Sequence, residues 1–104
     1  MAVRIVNFYK YLSSEKKEYV LSKQLLRSGT SIGANIHEAQ HGQSKADFAT
    51  KMNIALKEAN EAMYWIKLLY KTEYITETEY TSIESDVSEI KYLLISICKT
   101  SFAN

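Results

Sequence analysis

The stretch Phe48-Ala49-Thr50-Lys51-Met52-Asn53-Ile54-Ala55-Leu56-Lys57-Glu58-Ala59-Asn60-Glu61-Ala62-Met63-Tyr64-Trp65-Ile66-Lys67-Leu68-Leu69 decides the fold. Within it Phe48, Met52, Ala55, Ala59, Ala62, Ile66 and Leu69 recur at steps of 4, 3, 4, 3, 4 and 3. That spacing stacks side chains along one seam of an α-helix, whereas a strand would alternate with period two. The pattern repeats on either side. Tyr80, Ile83, Val87, Ile90, Leu94 and Ile97 form a later seam, and Leu21, Leu25, Ser28, Ile32, Asn35 and Ala39 an earlier one built from smaller side chains. Ile5, Phe8 and Leu12 mark a short first helix. The spacing predicts helices near 2–12, 15–41, 45–72 and 77–101. Loops of about two to four residues between them force neighbouring helices to run antiparallel. The expected fold is all-α, an antiparallel up-down four-helix bundle with a short first helix, occupying 1–104 as a single domain.

Local chemistry supports those boundaries. Ser14, followed by Glu15, is placed to cap the second helix, its oxygen accepting a free backbone N–H while the acid faces the positive end of the helix dipole. Gly42 is placed to end that helix in the left-handed conformation that costs glycine little. Ser44 with Asp47 and Thr76 with Glu79 have the spacing of capping boxes for the third and fourth helices.

Composition narrows the function classes. Proline is absent and there are 3 glycines among 104 residues, which disfavours folds built from many tight turns. A single cysteine, Cys98, excludes an intramolecular disulfide, and a small exported domain would normally carry cysteine pairs. Apolar runs such as Tyr92 to Ile95 are far too short to span a bilayer, and no apolar leader follows Arg4. These features predict a cytoplasmic protein without a membrane partner. The net charge of +1 conceals an asymmetry: residues 1–71 carry eleven Lys or Arg against six acids, and residues 72–104 carry two Lys against six acids. The first two thirds are basic and the last third is acidic, which points the basic part towards anionic partners.

Two faces carry more than a bundle core needs. On a helical wheel Ile54, Trp65 and Leu68 form a second apolar group on the third helix, roughly opposite the seam, on a stripe that includes Glu58 and Glu61. One core cannot bury both sides of a helix, so this group is expected to form an interface between copies of the chain. On the second helix Gln24, Arg27, Ser31, Asn35 and Glu38 line one stripe beside the seam, and Gly29 and Gly33 sit one turn apart. Buried polar groups require partners, and Glu61, with Glu58, supplies acceptors for Arg27. The expected result is a structural polar network of Gln24, Arg27, Ser31, Asn35, Glu38 and Glu61.

The string from Gln24 to Ala39, QLLRSGTSIGANIHEA, resembles the signature of the bacterial four-helix bundle proteins, also called the 23S ribosomal RNA intervening-sequence proteins. Ser44-Lys45-Ala46-Asp47-Phe48 and Ile54-Ala55-Leu56-Lys57-Glu58-Ala59-Asn60-Glu61 continue the match, which covers about residues 10–100. Gln24, Arg27, Ser31, Asn35, Glu38 and Glu61 stand at the motif positions, while the first helix is shorter than in longer relatives. The resemblance implies an antiparallel four-helix bundle that assembles into a ring of five subunits, without enzymatic activity. It also implies a gene context, since some members are encoded inside inserts of large-subunit ribosomal RNA genes. A related accessory protein of diversity-generating retroelements binds nucleic acid and a reverse transcriptase through a basic surface. The near-neutral charge of this chain departs from that relative.

Candidate chemistry is sparse. His37-Glu38-Ala39-Gln40-His41 matches H-E-x-x-H, which on a helix places two imidazoles one turn apart with a glutamate as general base. A small zinc-dependent hydrolase using His37, Glu38 and His41 is therefore the alternative function. Against it, the pentapeptide ends a bundle helix, lacks a third histidine and has no zincin sheet beside it. Gly29 to Gly33 lacks the Gly-Lys-Ser/Thr of a phosphate loop. Lys57, Lys67 and Lys71 share an outward arc of the third helix with Asn60 and Tyr64, so lysines that neutralise phosphates stand beside a ring that stacks on a base. The sequence thus predicts a non-enzymatic homo-oligomeric scaffold or accessory protein without cofactor or metal, pentameric by its resemblance, that associates with RNA or a nucleoprotein.

Overall fold

The computed structural model describes residues 1–103, with side chains through Thr100. Four helices occupy nearly all of it: α1 (Ala2–Ser14), α2 (Leu21–Gln40), α3 (Lys45–Lys71) and α4 (Glu77–Ala103). Their directions follow from pairs of contacts. Arg27 of α2 meets Glu61 of α3, while Glu38, eleven residues further along, meets Lys51, ten residues back. Met63 lies against Ser88 and Tyr70 stacks on Tyr80, so α3 and α4 also run antiparallel. Arg4 reaches Asp86 and Tyr11 reaches Glu79, which sets α1 antiparallel to α4. An up-down four-helix bundle results, drawn out to 45 × 20 × 17 Å by its two 27-residue helices.

The seams become the core. Met52, Ala55, Ala59, Ala62, Ile66 and Leu69 of α3 are buried against Leu25, Ile32 and Ala39 of α2 and Ile83, Val87 and Leu94 of α4. Ile5 and Leu12 of α1 close it, with Phe8 half-buried beside them. The alanines on α3 keep its contacts thin, so neighbouring helices approach closely. Gly29 permits the closest approach: a Cβ added there would stand 2.8 Å from Ile5 Cγ2.

Two boundaries and two caps depart from expectation. α1 extends to Ser14 and α2 begins at Leu21 rather than 15, leaving a loop of residues 15–20. Ser14 caps nothing; its hydroxyl donates back to the Lys10 carbonyl at 2.7 Å. The cap comes from Glu18, a buried carboxylate that accepts from the N–H groups of Val20, Leu21 and Ser22 at 3.2, 3.0 and 2.7 Å. Gly42 does not adopt the left-handed conformation; Lys17 (φ 55°) and Glu73 (φ 67°) do. At Glu73 the reason is the end of α3. The Tyr74 N–H returns to the Leu69 carbonyl and the Glu73 N–H to the Tyr70 carbonyl, both at 3.0 Å, and that pairing requires the left-handed residue between them. The other two capping expectations hold. Ser44 Oγ accepts from Asp47 N–H at 3.0 Å, and Thr76 and Glu79 exchange reciprocal bonds of 2.8 and 3.1 Å.

Candidate functional site

The α2–α3 face brings together most of the polar residues singled out in the sequence. Arg27 Nη2 donates to Glu61 Oε1 at 2.9 Å, and the same oxygen accepts from Trp65 Nε1 at 3.4 Å. Further along, Lys51 Nζ pairs with Glu38 Oε2 at 3.0 Å. Ser31 and Asn35 do not join a chain of side chains between helices. Ser31 Oγ donates to the Arg27 carbonyl at 2.7 Å and Asn35 Nδ2 to the Ser31 carbonyl at 2.8 Å, each one turn back in its own helix. Gln24 contributes its carbonyl, to Ser28 Oγ at 3.1 Å. The expected network is therefore two interhelical ion pairs bracketing a stretch of α2 that satisfies itself. Glu58 lies on the same stripe with Oε2 shielded from solvent and without a hydrogen-bond donor among the described residues.

Trp65 stands on the flank of α3 rather than opposite the seam. Its ring is half-buried against the edge of the core and meets Tyr64 edge-on, with centroids 4.9 Å apart. Leu68 is half-buried and Ile54 is 36% exposed. These three side chains make one apolar edge of α3, with Glu61 between them. About 90° further round the helix, at 100° per residue, lie Lys57, Asn60, Tyr64, Lys67 and Lys71. All five are exposed, Tyr64 by 58%, and no ion pair engages the three lysines among the described residues. Tyr64, Lys67, Leu68 and Lys71 line a shallow hollow of about 170 Å³.

The sequence reading did not single out the groove between α1 and α4. Arg4 donates to the Asp86 carboxylate and to Ser82 Oγ at 2.6 Å, at one end of a hollow of about 440 Å³ walled by Phe8 and Tyr11. At the other end the Tyr11 hydroxyl faces the Glu79 carboxylate. That interaction, together with burial, raises the Tyr11 pKa, and burial of Glu79 is outweighed by its polar neighbours, Thr76 first, which lower its own. No residue spacing marks this groove, because it joins residues about seventy to eighty positions apart. Cys98 is buried and burial pushes its thiol upward, as inert packing requires.

His37 and His41 are adjacent on the exposed side of the last turn of α2, with ring centroids 4.5 Å apart. Glu38 points away to Lys51. Among the described residues no three His, Cys, Asp or Glu side chains converge as metal ligands. No helix among them is long and apolar enough to cross a membrane.

With the motif stretch placed on the α2–α3 face, comparison with known proteins decides the family. The model of the 23S rRNA-intervening sequence protein matches residues 1–96. The chain belongs to this family. Its four-helix architecture is shared with a solved protein of unknown function from the S23 ribosomal protein family of Bacteroides thetaiotaomicron, which is 66% identical, with a TM-score of 0.92 over 94% of this chain and 91% of that one. No functionally curated protein matches. Neither the family nor the solved relative indicates an enzymatic activity.

Proposed function

We propose that this 23S rRNA-intervening sequence protein is a non-enzymatic homo-oligomeric scaffold, of five subunits, that associates with RNA through the back of α3. The observation that carries the reading is the division of α3 into three stripes. One is the buried seam, one the apolar edge of Ile54, Trp65 and Leu68, and one the exposed row of Lys57, Tyr64, Lys67 and Lys71. An apolar edge favours contact with another copy, while unpaired lysines beside an exposed ring suit a phosphate backbone and an unstacked base. Because the two stripes lie a quarter-turn apart, copies can meet along one and leave the other open to RNA. Neither function needs a cofactor.

Two measurements test it. Light scattering at micromolar concentration is expected to return a five-fold multiple of the 11.9 kDa chain mass, and an 11.9 kDa species overturns the assembly. Binding to a structured RNA is expected to weaken with salt. Replacing Lys57, Lys67 and Lys71 by Gln should flatten the slope of log affinity against log salt by about 2–3, the loss of three phosphate contacts. An unchanged slope removes these lysines from any RNA contact.

A further inference from the structure

The H-E-x-x-H pentapeptide is not absorbed by the bundle or by the proposed scaffold, and its two imidazoles are arranged in a way their spacing alone does not dictate. Their centroids are 4.5 Å apart with the planes 38° from each other, side by side on one exposed face. His41 Nδ1 lies 2.8 Å from the His37 carbonyl oxygen. That oxygen has no proton to give, so Nδ1 is the donor and, in the neutral ring, Nε2 of His41 carries an undonated lone pair. A backbone acceptor on one ring nitrogen that orients the other is the usual second shell of a metal-binding histidine. The pair also stands at the C-terminal end of α2, where the helix dipole favours positive charge. Of the acids nearby, Glu38 is engaged by Lys51, and Asp47 lies against Gly42, its Oδ2 3.3 Å from that residue's Cβ position.

We propose that His37 and His41 form a two-histidine chelate for a divalent transition-metal ion of the Cu²⁺, Ni²⁺ or Zn²⁺ class, with water completing the coordination. Imidazole nitrogens suit these ions and not Mg²⁺ or Ca²⁺. The site is structural rather than hydrolytic. Glu38, the general base of the hydrolase pattern, is held on another face of α2, and two ligands one turn apart clasp the last turn of the helix just before the turn into α3. The second imidazole binds as an intramolecular ligand, so removing either one should cost affinity on the order of tenfold or more.

The test uses the full chain without a histidine tag, stripped of metal and titrated with Cu²⁺ and with Ni²⁺ by calorimetry and by thermal melting. One equivalent per chain is expected, Cu²⁺ tighter than Ni²⁺. Free metal at 100 times its dissociation constant should raise the folding equilibrium constant about 100-fold. His37→Ala and His41→Ala should each weaken binding and abolish the thermal shift, while Glu38→Gln leaves both unchanged. Both histidines are exposed, so their removal leaves the core intact, which circular dichroism verifies. The proposal is overturned by any of three results. These are no saturation by about 100 µM free metal, an affinity too weak for a chelate; binding indifferent to both histidine variants; or binding lost in Glu38→Gln, which would return the glutamate to the ligand set.

Discussion

Glu18 carries more of the architecture than any polar residue on the predicted stripes. Burial pushes its carboxyl pKa upward, but the N–H groups of Leu21, Ser22 and Val20 outweigh that and hold it below the ordinary 4.5. Three donors at the start of α2 depend on it, so Glu18→Ala is expected to cost about 2 kcal/mol in urea unfolding at neutral pH. A carboxyl whose folded pKa is depressed stabilises fully above its unfolded pKa and loses that contribution as pH falls through the folded one. The stability gap between wild type and Glu18→Ala should therefore be constant near neutrality and shrink below about pH 4.5. A gap that persists at pH 2 would assign the effect to packing. The two helical glycines separate as cleanly. Gly29→Ala drives a methyl into Ile5 and should destabilise by about 1–2 kcal/mol, overpacking exceeding the propensity gain. Gly33 has nothing within 4 Å of its Cβ position, so Gly33→Ala should stabilise by up to about 1 kcal/mol. Equal effects at the two positions would contradict the contact with Ile5.

At the scale of elements, α3 and α4 both start where the sequence reads them, and α4 shows why. Thr76 and Glu79 satisfy each other's backbone donors through a pattern confined to four residues. Thr76→Ala is expected to cost about 1 kcal/mol and to fray the first turn of α4. Hydrogen exchange should show the loss there and not at the start of α3, where Ser44 remains in place. The start of α2 differs from the sequence expectation. Ser14 and Glu15 have the pattern of a local cap, but the Glu15 N–H continues α1 by pairing with the Tyr11 carbonyl, and Glu18 meets the three free N–H groups that open α2. Those bonds outweigh a single serine cap worth about 1 kcal/mol. The left-handed residues show the same conflict: glycine at 42 was free to take that conformation, yet chain reversal at 17 and 73 demanded it of a lysine and a glutamate.

For the whole molecule, the proposed assembly turns on the apolar edge of α3. Ile54→Lys combined with Leu68→Lys places two charges on that edge without entering the core. The double variant is expected to run at the 11.9 kDa monomer mass with its helicity retained. An unchanged oligomer mass would place the contact between copies elsewhere. Trp65 is the poorer probe, since its ring packs against the core and its removal confuses assembly with folding.

The division between what could be read and what could not follows range. Periodicity alone determined four helices, the seam of each, and the stripe that sets Arg27 towards Glu61, because a side chain's direction on a helix depends only on residues within two turns of it. The tertiary structure alone decided where α2 begins, which residues reverse the chain, that Trp65 flanks the core, and that Arg4 and Asp86 close a groove between the first helix and the last. The last two are settled by packing between segments distant in sequence, which no spacing along the chain records, while the first two are settled by backbone hydrogen bonds around Glu18 and Tyr74 that only the folded geometry displays.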